Sequence, residues 1–506
     1  MFVNQLGFPL LSLLIGTPLV GAVLIGLTAS SARSLQRTIA WIFSSINAIL
    51  AVYALTALQP VGGYQFVESV DWLASIGLKY AVGLDGINVW MVVLATLLTP
   101  LALYAARNES THQKSFHALI LVLSSALIGA FVATDLLLFY VFFELTLVPT
   151  ALLIATHGTG DAKAAALKFF VYPFVGSVFM LASIAGLVVT HFQQTGLMTF
   201  DSVIISGAVL NGTLVMDELL ERLLFAGFFL AFAVKTPLWP FHTWMPQAQV
   251  ATPSNGSVDI AGILLKIGAY GMLRFALPFF PNAAVWAAPA IGILAVISIL
   301  YSAVIAFGQH DMKSLLSYAT ISHLGFVMLG IFSQTIEGIT GALITMINSG
   351  LTTGALFLIV GILAAQRGSR NREDFSGVWL TAPTFGTLTL ITVFASIGVP
   401  GLNGFVGEFL SMQGAWLAPQ LGYGYVSFAV IGIILSAAYL LRMYRGVFMG
   451  AAPEEHAIHE PKTSEIAVLS LLVIAMIVIG LYPSIITSVS NASVSELVRS
   501  LTASSR

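Results

Sequence analysis

The 506-residue sequence predicts an all-α integral membrane protein of about fourteen transmembrane helices, with two inverted five-helix repeats and interruptions in helices 7 and 12. Three observations carry that expectation. Only 8% of the residues are charged and 58% are hydrophobic, against roughly 25% charged in an ordinary soluble domain. Apolar windows of the length that crosses a bilayer, about 20 residues, recur along the whole chain. Proline and glycine break two of those windows at positions five spans apart, and such paired breaks mark inverted-repeat transporters.

The windows lie near 10–28, 38–58, 87–106, 116–133, 135–155, 165–190, 221–240, 256–276, 285–307, 313–333, 338–364, 381–400, 424–446 and 465–485, the twelfth continuing to about 415 after its break. The first is read as a span, because it has no preceding basic region and no small-residue cleavage site. Residues Gln59 to Gly86 are polar, aromatic and Gly-rich, and predict an extramembrane hairpin or loop. The loop from Gln193 to Leu220 carries Asp201, Asp217 and Glu218. The expected organisation is helices 1–3 with the hairpin (1–115), a first five-helix repeat (116–280), a second (281–450), and a loop with a C-terminal helix (451–506). An odd number of helices per repeat reverses the second copy.

Charge sets the orientation. Of the 20 Lys and Arg residues, 13 fall in or beside loops that follow odd-numbered helices and five on the opposite side. By the positive-inside rule the first set faces the cytoplasm, and both termini face the other compartment. The two left over are Lys235 and Lys266, which lie within spans. A net charge of −2 without long charge runs argues against nucleic acid as a partner. The absence of cysteine excludes disulfides, thiolate iron–sulfur ligation and cysteine zinc sites in this chain. His456 and His459, beside Glu454, Glu455 and Glu460, read as a solvated loop rather than a metal site. No phosphate-binding glycine pattern sits on a strand-to-helix turn, so nucleotide hydrolysis is not supported.

Five ionisable residues fall well inside spans: Glu144, Lys235, Lys266, His323 and Glu408. A charge at that depth costs roughly 2.5–3.5 kcal/mol on insertion scales, so each needs a partner or water. Glu144 is expected to pair with Lys235, where opposite charge favours both ionised forms and burial disfavours them. Its plainer role is a carboxyl that only locks two helices together. Lys235 precedes Pro237 and Pro240, which free backbone carbonyls that can take water or the ammonium; its alternative is snorkelling to the interface. Lys266 lies mid-helix, and its plainer role is an ion pair. Asp259 shares its face, yet sits where a helix N-terminus favours acids. His323 titrates near neutral pH, which suits a relay, although a lone histidine often just bonds a carbonyl. Glu408 follows the second break, Val399-Pro400-Gly401-Leu402-Asn403-Gly404, as a releasing site or as a cap.

The segments Lys235-Thr-Pro-Leu-Trp-Pro-Phe-His-Thr-Trp-Met-Pro246, Asn255 to Lys266, Ser317 to Gly325 and Gly398 to Phe409 together closely resemble the antiporter-like subunits of respiratory complex I. Glu408, where sibling subunits carry lysine, resembles the subunit-4 (M-type) branch. The resemblance covers nearly the whole chain. It implies fourteen helices with inverted repeats, proton translocation through Glu144, Lys235, Lys266, His323 and Glu408, and no cofactor or metal of the chain's own. Quinone, iron–sulfur clusters and the electron donor are then expected in partner subunits, with sibling antiporter-like subunits and lipids alongside. Gly83 to Asn88 and Leu351 to Phe357 are most similar to the cyanobacterial and chloroplast version, the D-type chain of the NDH-1 complex, which reduces plastoquinone in the thylakoid membrane. There the termini would be lumenal.

Two departures stand out. Gln247-Ala-Gln249 replaces the family's Asp-Ala-His, and Ser349-Gly-Leu replaces His-Gly-Leu. Serine donates and accepts hydrogen bonds and can hold water, but stores no proton near pH 7. This divergence resembles the cyanobacterial paralogues of the CO2-uptake complex, which implies a CO2-hydrating accessory module. Two other functions fit the same residues: a subunit of a multi-subunit sodium/proton antiporter, and a non-pumping scaffold for the CO2-hydrating module.

Overall fold

The computed structural model describes residues 7–105, 112–253, 260–451 and 457–504. Asp259, Glu454, Glu455 and His456 lie outside the described residues. Two helices open the chain, α1 (Leu10–Leu27) and α2 (Arg33–Ala57). An antiparallel hairpin follows, β1 (Gln65–Leu73) with β2 (Leu78–Leu84), in register Glu68 to Val82 and Val70 to Tyr80. The polar stretch thus folds as a hairpin. Its turn needs Gly77, whose φ is +70°, a region that only glycine visits freely.

The first bundle continues with α3 (Asn88–Ala105), α4 (Gln113–Val132), α5 (Leu136–Leu145), α6 (Leu147–His157) and α7 (Ala162–Thr195). A short helix, α8 (Ser202–Leu210), leads to α9 (Glu218–Lys235) and α10 (Met245–Ala251). Asp201 and Asp217, two of the three acids of the long loop, cap α8 and α9 by accepting from Val203 N–H at 2.9 Å and Leu220 N–H at 2.8 Å. That role suits the partial positive charge of a helix N-terminus. Next comes α11 (Gly262–Phe279), which emerges from one π-turn, Ile260–Leu264, and contains a second, Met272–Ala276. Pro278 offers no N–H to the Arg274 carbonyl, and the turn before it widens.

The second half runs through α12 (Pro281–Gly308), α13 (Met312–Ser333), α14 (Ile336–Arg367), α15 (Pro383–Ser396), α16 (Asn403–Leu417) and α17 (Tyr423–Phe448). It ends with α18 (Thr463–Leu481) and α19 (Ser484–Ser504). Among the described residues, 11 helices are long and apolar enough to cross a membrane, and α3 and α15 are shorter apolar helices. The chain is an integral, multi-pass membrane protein. Helix α9 falls outside that set of 11 because Glu218, Glu221, Arg222 and Lys235 crowd its 18 residues. α15 is short because the chain stops being helical at Ser396 and resumes at Asn403.

Burial separates centre from rim. The most apolar windows of α13 and α14 are 94% buried, whereas that of α18 is 22% buried. The outward faces of α7 and α17 expose Val175, Phe179, Phe428 and Ile434, as lipid-facing helices do when the surrounding solvent is hydrocarbon. Helix α14 touches α13, α15, α16, α18 and the start of α11. It is the axle on which the polar interior is mounted.

Candidate functional site

Both breaks are built by local sequence. After Lys235 the helical bonding shifts from Thr236 N–H to Phe232 O (2.8 Å) to Leu238 N–H to Ala233 O (2.9 Å), because Pro237 supplies no donor. The skipped Val234 carbonyl takes the indole N–H of Trp244 at 2.9 Å. Protein donors therefore satisfy these freed carbonyls. At the second break Gly398 and Gly401 adopt φ of +75° and +91°. A Cβ at Gly398 would lie 3.2 Å from Glu408 Oε2, so that glycine also makes room for the carboxylate.

Lys235 is fully buried. Its Nζ donates to Thr146 Oγ1 at 2.9 Å and lies 4.6 Å from the centre of the Phe143 ring, an arrangement that adds cation–π attraction. Thr146 sits at the junction of α5 and α6 with helical backbone angles, where Pro149 has no N–H for the Leu145 carbonyl. Glu144 is half-buried on the same stretch, within electrostatic reach of Lys235. Among the described residues no ion pair within 4.0 Å joins the two. The direct contact of the Lys235 amine is therefore with Thr146 and not with Glu144. Glu144 Oε1 is buried without a hydrogen-bond partner.

Lys266 is also fully buried, at the junction between the first π-turn and the α-helical turn Lys266–Gly271. Helix α11 reaches the Lys235 break through glycine. A Cβ at Gly268 would stand 2.3 Å from Thr236 Oγ1 and 2.5 Å from the Phe232 carbonyl. On its other side, a Cβ at Gly350 of α14 would stand 2.9 Å from the Gly262 carbonyl. The turn that precedes Lys266 is thus pressed against the residue next to Ser349.

His323 and Glu408 meet directly. His323 Nδ1 is 2.8 Å from Glu408 Oε1, and its Nε2 is 3.3 Å from Ser396 Oγ. Both side chains are less than 10% exposed. Beside them lies a small cavity whose lining includes Thr345, Asn348, Ser349, Thr352, Ala395 and Ser396, with about 10 Å³ open to a water's centre, on the order of one water molecule. Ser349, the departure from the family's histidine, is part of that lining. Thr345 Oγ1 and Asn348 Oδ1 are buried without hydrogen-bond partners. Gln249, the other departure, is fully buried with both amide atoms unpartnered.

Several residues here escape sequence reading. Thr146, Ser396 and Asn348 look like ordinary small polar residues of membrane helices. Lys313, counted among the basic loop residues, is 1% exposed and donates to the Thr252 carbonyl. Together with Arg370 Nη1 on Val250 O (2.8 Å) and Thr159 N–H on Ala251 O (2.8 Å), it holds the last carbonyls of α10. Arg274 pairs with Asp85 and ties the hairpin side to α11. His459 is exposed, and among the described residues no group of three or more metal-ligating side chains occurs.

A polytopic helical bundle with two broken helices and buried cations and carboxylates along its interior defines the class of an ion-conducting membrane subunit. The chain belongs to the NADH:quinone oxidoreductase/Mrp antiporter transmembrane family, which residues 133–436 match. It is 37% identical to NADH-quinone oxidoreductase subunit M of Rhodobacter capsulatus, over 97% of this chain and 96% of that protein. Among solved structures it is similar to a chain of respiratory complex I from Thermus thermophilus, with 31% identity, a TM-score of 0.87, and coverage of 97% of this chain and 99% of that one. A chain of the Mrp complex from Dietzia sp. shares the fold at 22% identity and a TM-score of 0.79, over 97% of this chain and 55% of that one.

Proposed function

We propose that this chain is a proton-translocating membrane subunit of an NADH:quinone oxidoreductase of the complex I type. Lys235, modulated by Glu144, takes up a proton from the cytoplasmic side. Lys266 and His323 pass it along the middle of the bilayer, and Glu408 releases it on the opposite side. The observation that carries this reading is the buried His323–Glu408 pair beside a water-sized cavity. Groups that donate and accept are in contact there, with room for water at the position where Ser349 replaces a titratable side chain.

In this reading the chain spans the membrane fourteen times, and residues 116–280 and 281–450 are inverted repeats. The breaks after Lys235 and Ser396 support that symmetry. Redox chemistry belongs to partner subunits that hold the quinone site, the iron–sulfur clusters and the electron donor. Sibling antiporter-like subunits flank this one, and both termini face away from the basic loops. The relationship to bacterial NADH-quinone oxidoreductase subunits favours a respiratory assembly. The thylakoid, plastoquinone and CO2-uptake readings rest on residues 83–88, 247–249, 349 and 351–357 alone.

A second function, in a sodium/proton antiporter, draws on the likeness to the Mrp chain, which at 22% identity speaks only for the fold. Replacing Lys235 with methionine in the assembled complex tests the main reading. Electron transfer should outlast proton translocation; unchanged translocation would leave a scaffold role, and sodium-dependent transport would favour the antiporter.

A further inference from the structure

Away from the site, Arg372 is a covered guanidinium that no acid of the chain holds. It opens the short turn Arg372–Asp374, which follows α14 and packs against α17. The residue is 8% exposed, and its Nη1 is buried without a hydrogen-bond partner. The acids around it are engaged elsewhere: Asp311 with Arg370 at 3.2 Å, Glu373 with His310 Nδ1 at 2.7 Å, and Asp374 with the Ser369 hydroxyl. Among the described residues no carboxylate stands within 4.0 Å of Arg372. Burial lowers the pKa of this guanidinium and the like charge of Arg442 lowers it further, while Glu373 acts against both. A charge withdrawn from water without a partner is costly, and guanidinium forks are matched by carboxylate or phosphate oxygens.

Arg442 supplies the second cation. Its Nη1 donates to the Phe307 carbonyl at 3.3 Å, and its guanidinium lies 4.5 Å from the centre of the Phe307 ring. It thus joins the ends of α12 and α17. Arg445, one turn further along α17, is exposed on the same face. All three arginines lie at the end of the bundle that carries the basic loops. Beneath them α12 and α17 pack so closely that a Cβ at Gly432 would collide with Ile299. This seam is exposed and apolar along Val304 and Phe307 on one helix and Ile431, Ile434 and Leu441 on the other. From Ile431 to Leu441 the helix axis rises about 15 Å, the share of one leaflet in a hydrocarbon core of roughly 30 Å.

We propose that Arg372 and Arg442, flanked by Arg445, hold the phosphate of an anionic phospholipid whose acyl chains lie along the seam between α12 and α17. Charge complementarity selects the headgroup, because three cations meet there with no free acid among them. The apolar stripe selects the rest of the molecule, since it begins beside Arg442 and runs for the depth of one leaflet. The lipid would also bridge the turn after α14 to α17, two elements on opposite sides of the second break.

Photolabelling tests the site in the assembled complex, reconstituted in phosphatidylcholine vesicles that contain either phosphatidylglycerol or phosphatidylcholine with a diazirine in its acyl chain. Labelled peptides are read by mass spectrometry, with the lipid-exposed α7 as the internal reference. In the unmodified complex phosphatidylglycerol should label α12 and α17 several-fold more than phosphatidylcholine does, relative to α7. Arg372→Gln/Arg442→Gln, with assembly checked on a native gel, should bring that ratio down to the value for α7. Lys163→Gln, which removes an exposed cation from another loop, should leave it unchanged. Equal labelling by the two lipids in the unmodified complex overturns the proposal whether or not the double variant assembles. So does a preference that survives in an assembled double variant. Labelling of the seam by neither lipid would show that another subunit covers it, and overturns the proposal as well.

Discussion

His323 Nδ1 and Glu408 Oε1 stand 2.8 Å apart, joining α13 to the helix that resumes after the second break. The two residues are 85 positions apart in sequence. Their contact depends on the chain leaving α15 at Ser396, turning through Gly398 and Gly401, and placing Glu408 on the buried face of α16. Ser396 itself, the last residue before the break, closes the other side of the imidazole.

Glu408→Gln keeps the shape of the side chain and removes its charge and its ability to carry a proton. We expect the complex to assemble and transfer electrons while proton translocation by this subunit is lost. Comparing quinone reduction with acidification of membrane vesicles checks this. Intact acidification would mean that the pair is merely structural.

Thr146→Val should impair translocation nearly as much as replacing Lys235, because it leaves a buried ammonium without its acceptor. Hydrogen bonds to charged groups are worth about 1.5–3 kcal/mol, and roughly 1.4 kcal/mol is tenfold in a rate or an equilibrium. Thr146→Ser restores the oxygen and should restore most of the function. Equal behaviour of the valine and serine variants in a vesicle pumping assay would remove Thr146 from the relay.

Arg274→Ala strands the buried Asp85, whose carboxylate also accepts from Ile87 N–H at 2.9 Å and Asn88 N–H at 3.0 Å. Breaking a buried pair by removing one partner costs about 3–5 kcal/mol. A lower denaturation temperature of the purified complex, with dissociation of this subunit first, is the expected result. The double variant Asp85→Asn/Arg274→Met should recover part of the loss. A double variant less stable than either single one would contradict the pairing.

The buried ionisable residues were legible in the sequence because charge inside apolar helices is costly and therefore conspicuous. Lys235, Lys266, His323 and Glu408 are each the one ionisable residue of their local stretch, and the prolines and glycines beside Lys235 and Glu408 mark the breaks. Which groups touch was a different matter. A Glu144–Lys235 contact follows from charge alone, yet Thr146 holds the ammonium, and a threonine in an apolar helix ordinarily just bonds its own preceding turn. Helix α19 was hidden by its composition: Ser484, Thr487, Ser488, Ser490 and Ser493 interrupt any apolar window over a segment whose Ile486, Val494 and Leu501 are buried. Lys313 looked like a loop cation because it stands in the first turn of α13, and only the fold brings Thr252 to it.

Gly268→Ala offers the finest test of how α11 and α9 are joined. The added Cβ would sit 2.3 Å from Thr236 Oγ1 and 2.5 Å from the Phe232 carbonyl. The hydroxyl can rotate away, but the carbonyl belongs to the last turn before Lys235, where it already accepts from Thr236 N–H at 2.8 Å. Relief must therefore move α11 or the end of α9. Overpacking of this kind costs about 1–3 kcal/mol, so the variant should fold and assemble with modestly reduced thermal stability. Because any shift changes the separation between the Lys235 and Lys266 backbones, proton translocation should fall more steeply than electron transfer. Gly446→Ala, where an added Cβ meets nothing within 4 Å, should change neither, and a matching defect in that control would show that the loss at Gly268 says nothing about this contact.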